Sequence, residues 1–431
     1  MRKKELVVNV KNLAATIFIT WGLWYVFFAS SITLRPYYMI LWPLLSIVGF
    51  TINLSSISGY IVKHKNIYIL YGLFFIVCLC SLFLSKDKSA SLDYIVKMLL
   101  GFLFVSPILS NKKQKEFVDI FSIYLVVMLI LSFIQYLLPG FYTLNILPLI
   151  ANNDSILIYG AIKNGNAIGL TGGTSINGCF MAMGFCLFWA KMISIEKCKI
   201  GNLIISILFA GMTFATGKRS YSLILIFVFL ISLHYMKNNS DGVKKFLKYF
   251  GIIILSVGLF FIASRYIPAV NNFFEKFYLY NQLGDVSNGR FELYVDAWKG
   301  FKENCFIGIG INASNSVLGG AVHNSYLQWL VEFGLIGIVI PIIFVFYCPI
   351  LYSKKFLSIW ENDVSEYNRF VTLFSLFYVV LFLLAGLVAT PFQWPNNFMV
   401  YMFCGFVISG YCRKEIVFHK EEVLDEYKII D

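Results

Sequence analysis

The chain has 431 residues, of which 59% are hydrophobic and 13% charged, and its mean hydropathy is +0.75. Soluble domains carry about 25% charged residues, so this composition excludes an ordinary soluble globule and indicates an integral membrane protein. The apolar runs do not alternate with polar residues as membrane barrel strands do, which leaves helices as the elements that cross the membrane.

Apolar runs long enough to cross a bilayer, about 17 to 25 residues each, recur along the whole chain. They predict an all-α, polytopic membrane protein with about twelve transmembrane helices. The first run follows Arg2 and two lysines and has no small-residue cleavage site after it, so we expect a retained helix and not a removed signal peptide. The predicted helices begin near Leu13, Tyr37, Ile67, Asp93, Phe117, Thr171, Ile200, Arg219, Lys245, His323, Phe370 and Pro395.

The chain shows neither an internal repeat nor a low-complexity linker, so residues 1–431 are predicted to form a single membrane domain. Two outer connections are long enough to carry structure of their own: residues 139–170, and residues 264–322 between helices 9 and 10. Residues 412–431 form an acidic tail that we expect to be solvated in the cytoplasm.

Basic residues indicate how the chain is oriented. They cluster in alternate connections, on the side that holds the N-terminus, and by the positive-inside rule that side is cytoplasmic. Both termini are therefore predicted to be cytoplasmic. The formal net charge of +12 anchors the protein at the inner leaflet and does not indicate a nucleic-acid partner. The clustered residues are Lys63, Lys65, Lys112, Lys113, Lys115, Lys197, Lys199, Lys244, Lys245, Lys248, Lys354, Lys355, Arg413 and Lys414.

The nine cysteines do not form a recognisable framework. Their number is odd, and Cys78, Cys80, Cys186 and Cys404 fall inside predicted spans, where cysteine behaves as a small hydrophobic residue. Cys305 is the one placed clearly in an outer loop. Because no CxxC pair occurs, the sequence predicts neither a disulfide framework nor a metal site.

The short outer connection TFATGKRSYS places Lys218 and Arg219 outside, against the positive-inside rule. Arg219 begins a predicted helix, with Thr216 or Ser220 as its cap. Free backbone N–H groups at a helix start, together with a guanidinium group, suit a phosphate. The alternative is a pair of side chains that extend to lipid headgroups. The spacing does not match a P-loop.

The second long loop contains NGRFELYVDAWKGFKENCFIGIGINASN, and its character leaves two interpretations open. Aromatic residues, with Gly308 and Gly310 to allow close backbone approach, suit a sugar or a lipid headgroup near Arg290 and Lys299. The alternative is an amphipathic helix on the membrane surface, with a lipid face formed by Phe291, Trp298 and Phe301.

The stretch HNSYLQWLVEFGLIG begins with a titratable side chain and a hydrogen-bonding side chain at the start of an apolar helix. The predicted topology brings His323 and Asn324 to the same outer rim as Arg219, Arg290 and Asn177. Histidine titrates near pH 6.5, so His323 is either a proton acceptor for a hydroxyl group or an interfacial anchor.

Deeper in the same predicted helix, Gln328 and Glu332 continue a polar stripe from Asn324. A carboxylate buried among helices needs a partner. Lys97 is the basic residue that we place inside a span, so we expect a structural pair between Glu332 and Lys97.

With these motifs, the chain resembles the bacterial superfamily of O-antigen and capsular polysaccharide polymerases and O-antigen ligases, which handle glycans on undecaprenyl diphosphate. HNSYLQWLVEFGLIG is similar to the family's His-Asn and Glu-x-Gly signature, and ATGKRSYSLI is similar to its Arg-containing helix start. GRFELYVDAWKGFKENCFIGIG resembles its Arg, Trp and Gly-x-Gly loop, and GLTGGTSINGCFMAMG resembles its Asn-Gly helix entry. The resemblance covers residues 169–340.

The resemblance implies a GT-C-like, metal-independent membrane glycosyltransferase that opens to the extracytoplasmic face of the inner membrane and uses no cofactor. Arg219 and Arg290 would bind the donor diphosphate, and His323 would activate the acceptor hydroxyl. Cys305 stands where the family's loop has proline, and the first long outer loop offers Lys163 where an arginine is usual. The further substrate-binding residues expected are Lys218, Asn324, Asn177, Lys299 and Trp298.

The resemblance favours a polymerase that joins lipid-linked oligosaccharide repeat units into O-antigen or capsule. Its implied partners are the undecaprenyl-diphosphate-linked oligosaccharide, membrane lipid and a chain-length regulator protein. A ligase that moves finished polymer onto lipid A core is the alternative within the family. From another class, a transporter or flippase of lipid-linked sugars would predict internal repeats and charges near the membrane midplane.

Overall fold

The structure is a computed structural model, and it describes residues 2–28, 35–110, 113–150, 155–195, 197–237, 289–353 and 365–412, with the single residues 251 and 275. Within these ranges the ordered elements are helices, so the predicted all-α polytopic fold is confirmed. The helix predicted to begin near Lys245 lies outside the described residues, as does nearly all of the tail 412–431.

Fifteen longer helices are described within those ranges, and three shorter helical segments lie between some of them. The longer ones are α1 (Arg2–Phe28), α2 (Arg35–Ile52), α3 (Leu54–Lys63), α4 (Lys65–Leu84), α5 (Lys88–Ser110), α6 (Gln114–Leu137), α7 (Ser155–Lys163), α8 (Thr174–Ser194), α9 (Lys199–Ala215), α10 (Arg219–Lys237), α11 (Arg290–Glu303), α12 (Ser325–Gly337), α13 (Val339–Ser353), α14 (Glu366–Gly386) and α15 (Pro395–Cys412). The shorter segments are 139–150, which has three consecutive pieces, with 314–317 and the 3-10 turn 391–393.

Two helices form the centre of the bundle, because they are apolar on every side and enclosed by the others. Over their most apolar stretches, 83% of α8 and 78% of α14 is buried. Gly184 lets α9 approach α8 closely: a Cβ atom there would lie 2.2 Å from the ring of Phe209. Small residues at such crossings are typical of helices that pack in a membrane.

Five described helices are long and apolar enough to cross a membrane, or seven spans if each of two bent helix pairs is counted as one. Three further apolar helices are shorter, Ala14–Phe28, Lys199–Ala215 and Arg219–Leu233. One bent pair is α2 with α3, at 72°. The predicted total of about twelve spans therefore exceeds what the described residues account for by length and hydropathy.

The helix predicted to cross the membrane from His323 is broken. Gly334, at φ 66°, interrupts it, and α12 and the following stretch Val339–Tyr347 are bent by 118°. The prediction of one continuous span here was wrong, because α12 has 13 residues and covers only about 20 Å at 1.5 Å per residue.

The broken helix is completed by the loop that precedes it. The backbone N–H groups of Ile309 and Gly310 donate to the carbonyl oxygens of Val331 and Glu332, both at 3.0 Å. On the other side of Gly334, Leu335 N–H donates to Cys305 O at 2.8 Å, and Ile336 N–H donates to Phe306 O at 3.2 Å. Backbone groups freed by the break thus regain partners, which a membrane protein requires.

Gly308 and Gly310 serve this backbone contact. A Cβ atom on Gly308 would lie 2.3 Å from the carbonyl oxygen of Glu332, and one on Gly310 would lie 2.4 Å from Cα of Ser85. Both residues have positive φ angles, 71° and 103°. The close approach that the sequence assigned to a sugar or a headgroup is instead an approach to the protein's own backbone.

Among the described residues, the helix ends beside two connections predicted to be cytoplasmic lie close to the start of α14. Lys115 lies 5.5 Å from the ring of Tyr367, and Lys191 lies 5.7 Å from the ring of Phe370. At the other end of α8, Ala167 N–H donates to Ala215 O at 2.9 Å. These contacts agree with the predicted sidedness, and which end faces the cytoplasm stays a prediction.

We predict that Gly308→Ala destabilises the protein more than Gly319→Ala does. Gly319 also has a positive φ, 77°, but a Cβ atom there meets nothing within 4 Å, so its substitution costs only the backbone strain of about 1–2 kcal/mol. Gly308→Ala adds a clash with backbone. The midpoint of thermal unfolding in detergent measures both. Gly320→Ala, with neither strain nor a neighbour, is the control, and a midpoint for Gly308→Ala no lower than that for Gly319→Ala would contradict the prediction.

Candidate active site

His323 lies at a sharp turn that separates the outer loop from α12. Its φ of 56° is in the left-handed region, which few residues other than glycine adopt and in which histidine is enriched. Val322 before it and Ser325 after it are both buried. The turn therefore holds His323 on the accessible side of a firmly packed segment.

Two positive charges from distant parts of the chain face His323. Partial burial lowers the pKa of His323 below its usual value near 6.5, and the charges of Arg290 and Lys218 lower this pKa further. Charges more than about 10 Å apart are largely screened by salt. The structure therefore brings three of the residues that the sequence nominated near one another, although Arg290 and Lys218 lie 33 and 105 residues before His323 in the chain.

Lys218 and Arg219 lie where α10 begins. The Thr216 hydroxyl accepts a hydrogen bond from Lys218 N–H at 3.4 Å, and Lys218 O accepts from Ser222 N–H at 3.4 Å. Gly178 of α8 brings the backbones close, since a Cβ atom there would lie 3.6 Å from Lys218 Cβ. Lys218 is thus fixed where α8 and α10 meet, and both basic side chains are partly exposed.

Arg290 is placed by the packing of α11. The helix follows Gly289, whose φ is 76°, and its inner face carries Ala297 and Phe301. That face packs in a buried cluster that also contains Val322. Since Val322 directly precedes His323, the contacts that seat α11 also bring the first residue of α11, Arg290, towards the imidazole ring.

Trp298 and Lys299 lie on other faces of α11. At 100° per residue they are about 80° and 180° away from Arg290 around the helix. Trp298 is 46% exposed, and Lys299 is paired with Asp296 at 3.1 Å, with both side chains largely exposed. The structure does not bring these two predicted substrate-binding residues to His323, and their role in binding stays a prediction.

The polar atoms of Asn324 already have protein partners. Its side-chain oxygen accepts from the N–H groups of Tyr326 at 3.1 Å and Leu327 at 3.0 Å, which caps α12, and its amide nitrogen donates to Leu387 O at 3.2 Å. Asn324 lies at the helix start, where the sequence placed it, and the structure shows that it caps α12. Its contact with substrate stays a prediction.

Asn177 is also committed to the protein. It is fully buried, and its amide nitrogen donates to Ala167 O and to Ser132 Oγ, both at 3.2 Å. In the same way, Gln135 accepts from Ile168 N–H and donates to Asn166 O. These amides fasten the end of the first long outer loop to the bundle beside Lys218. Lys163 of that loop is exposed.

Glu332 is not paired with Lys97. Its Oε1 atom accepts from Ser314 Oγ and from Gln328 Nε2, both at 2.8 Å, and the residue is fully buried. Lys97 instead pairs with Asp93 one turn away at 2.5 Å, and both side chains are partly exposed. The predicted pair was wrong because the break at Gly334 keeps Glu332 against the outer loop. Its carboxylate holds that loop to α12.

An apolar cavity of about 570 Å³ lies beside the start of α12. It is lined by α10, α14 and α13, with Tyr326 two residues beyond the cap Asn324. Its lining residues are Phe227, Ile231, Tyr326, Phe346, Val380, Leu383, Leu384 and Leu387. Because every lining side chain except the tyrosine is purely hydrocarbon, the cavity suits a hydrocarbon chain.

Among the described residues, no three His, Cys, Asp or Glu side chains lie close enough together to hold a metal ion.

Residues 204–342 match a family model described as O-antigen ligase. The matched segment is about a third of the chain, and it contains Lys218, Arg219, Arg290 and His323. The match supports the resemblance to the superfamily of O-antigen ligases and polymerases. No curated protein matches the chain.

We predict that Asn324→Ala lowers the free energy of unfolding by about 0.5–2 kcal/mol, the usual cost of losing an N-cap. Asn324→Ser keeps an oxygen acceptor for the cap and should lose less, because it removes only the hydrogen bond to Leu387 O. Thermal unfolding in detergent measures both variants. If both lose glycan transfer while their unfolding is unchanged, Asn324 contacts substrate and its cap is dispensable.

We predict that Arg290→Ala raises the pKa of His323, because it removes one of the two charges that disfavour the imidazolium form. A titration of labelled histidine by nuclear magnetic resonance measures the shift, and His323→Gln assigns the signal. Lys302→Ala removes one positive charge from the exposed side of the same helix and should leave this pKa nearly unchanged. Equal shifts in both variants would mean that Arg290 acts only through the net charge.

Proposed function

Starting from the match to the O-antigen ligase family, we propose that the protein is a membrane glycosyltransferase that joins lipid-linked oligosaccharide repeat units into a polysaccharide. The observation that carries the proposal is the placement of Arg290 and Lys218 around His323, within the matched segment. This arrangement suits a reaction in which a hydroxyl group loses a proton beside a departing anion.

The departing anion would be the diphosphate of a polyprenyl carrier. When the bond between the anomeric carbon and the diphosphate oxygen breaks, negative charge grows on that oxygen, and fixed cations stabilise it. Arg290, Arg219 and Lys218 supply such cations. The start of α10 adds oriented backbone N–H groups, which favour phosphate.

His323 would accept the proton of the acceptor hydroxyl. Its lowered pKa keeps the imidazole neutral at pH 7, so the ring has a free nitrogen to receive a proton. The acceptor oxygen then bonds to the anomeric carbon, and the diphosphate leaves with the bonding electrons. The acid limb of the activity profile is expected below pH 6.5, where the imidazole becomes protonated.

The apolar cavity beside Tyr326 would receive the hydrocarbon end of the substrate. A polyprenyl chain is purely apolar. The cavity lies close to the capped start of α12, and its lining residue Tyr326 is three residues after His323. The diphosphate would then lie at the polar rim, with its lipid tail among membrane helices. The substrate class inferred from this pairing is an undecaprenyl-diphosphate-linked oligosaccharide.

We further propose that the active end faces outward from the bacterial inner membrane and that both termini are cytoplasmic, as the lysine distribution predicts. A lipid-linked donor already carries its activation in the diphosphate, so the reaction as proposed needs neither a nucleotide nor a metal ion. A chain-length regulator protein remains a proposed partner.

A ligase that uses the same donor is the second candidate. Both reactions need a cationic site for the leaving diphosphate and a base for the acceptor, and the matched family is described as O-antigen ligase. The polymerase is preferred for the resemblance of its short motifs. A transporter of lipid-linked sugars receives no support from the family match.

We predict that purified protein in vesicles elongates lipid-linked repeat units when no other acceptor is present, and that His323→Ala lowers the rate about 10²- to 10⁴-fold. Arg290→Ala should lose about 10²- to 10³-fold, the cost of removing one donor to a developing anion. Gel separation of the labelled glycans measures both. Lys302→Ala is the matched control for the loss of one charge on α11.

Polymer at the wild-type level in His323→Ala and Arg290→Ala would exclude this mechanism. Product formed only after lipid A core is added would identify the ligase reaction in place of the polymerase. Arg219→Lys keeps the charge and removes the planar guanidinium fork, so a large loss in this variant indicates a bidentate contact with phosphate.

A further inference from the structure

Helix α11 has three faces instead of the usual two. The inner face packs on the protein through Ala297 and Phe301. A polar face carries Glu292, Asp296 and Lys299, all exposed. Between them, about 80–140° around the helix from the centre of the inner face, lies a third face that is apolar and exposed.

The third face is a stripe of large apolar side chains, at i, i+4 and i+7 spacing. Phe291 is 69% exposed, Val295 is 53% exposed and Trp298 is 46% exposed. The sequence assigned Phe301 to this face, but Phe301 is 8% exposed and packs inward. That assignment was wrong because Phe301 lies about 80° around the helix from Phe291.

Beyond α11, the chain carries on with exposed apolar residues up to the membrane-crossing part of the protein. Phe306 is 63% exposed and Ile307 is 51% exposed. Their segment is bonded through its backbone to Leu335 and Ile336, which are 51% and 69% exposed. These two residues belong to a bent helix pair that has the hydropathy of a membrane span.

We propose that the stripe of α11, with Phe306, Ile307, Leu335 and Ile336, is a continuous surface that inserts into the outer edge of the bilayer. Its occupant is the hydrocarbon of membrane phospholipid. Lipid fits better than a protein partner because Phe306 and Ile307 are bonded through their segment to a membrane span, and because the adjacent face of α11 is charged, as in helices that lie at a membrane interface. Lys302 is exposed in line with the stripe, and its long side chain can extend to lipid headgroups.

This insertion would set the depth of Arg290 in the bilayer. Arg290 is the first residue of α11 and lies next to the inner face, so its height follows that of the helix. The boundary between acyl chains and headgroups is also the depth at which the diphosphate of a membrane-held substrate lies. This consequence rests on the proposed function, whereas the lipid contact does not.

Photocrosslinking in phospholipid vesicles tests the lipid contact without any need for activity. The photoreactive residue p-benzoylphenylalanine replaces Trp298 in one variant and Asp296 in a matched control on the polar face of the same helix. Both positions are exposed, so both variants should elute from gel filtration like the wild type. We expect mass spectrometry to detect phospholipid adducts at position 298 and none at position 296.

Absence of a lipid adduct at position 298, or equal adducts at both positions, would overturn the proposal. So would a crosslink from position 298 to another protein when the same variant is irradiated in native membranes.

The consequence for Arg290 has its own test. The double variant Phe291→Ser, Val295→Ser removes two side chains of the stripe and leaves the inner face and Trp298, a predicted substrate-binding residue, intact. We expect lower polymer formation with an unchanged unfolding midpoint. If lipid adducts form at position 298 but the double variant is fully active, the surface contacts lipid and does not control Arg290.

Discussion

The backbone pairing across Gly334 is the constraint on which the rest of the active end depends. A helix that breaks inside a membrane protein exposes N–H and C=O groups that water cannot reach, and each must find a partner. The segment Cys305–Gly310 supplies those partners on both sides of the break. It can do so only because Gly308 and Gly334 lack side chains where the two backbones touch. This contact joins the segment Cys305–Gly310 to α12 as one unit, and Glu332 strengthens the unit from inside by accepting from Ser314 Oγ and Gln328 Nε2.

That unit explains how charges accumulate around one imidazole. Partial burial and the charges of Arg290 and Lys218 all lower the pKa of the ring, so placing these groups near one another costs free energy. Apolar packing offsets that cost, because α11 is held by its buried cluster and α10 begins against α8 at Gly178. Two cationic side chains beside one imidazole would suit the anion of the proposed substrate.

Two apolar surfaces of the protein suit contact with hydrocarbon chains. An apolar cavity beside Tyr326 lies among the helices of the bundle, and α11 carries an exposed apolar stripe. His323 lies three residues before Tyr326, and its pKa responds to Arg290 at the start of α11. A lipid-linked substrate has the same division, with a hydrocarbon end, a charged linkage and a polar glycan, so each part would meet surroundings of its own polarity.

Hydropathy alone determined that this is a helical membrane protein. In lipid, backbone polar groups need partners within the protein, a helix supplies them within one segment, and long apolar runs indicate such helices. Motif order and sidedness nominated Arg290, Lys218 and His323, since alternate connections of a helical bundle must share an end. Sequence could not foresee that the helix after His323 breaks, because local hydropathy continues unbroken through Gly334. The pairing of Glu332 with Ser314 and Gln328, the inward turn of Phe301 and the outward turn of Trp298 all follow from that break and from the packing of α11. They depend on contacts between distant segments, and only the tertiary structure decides those.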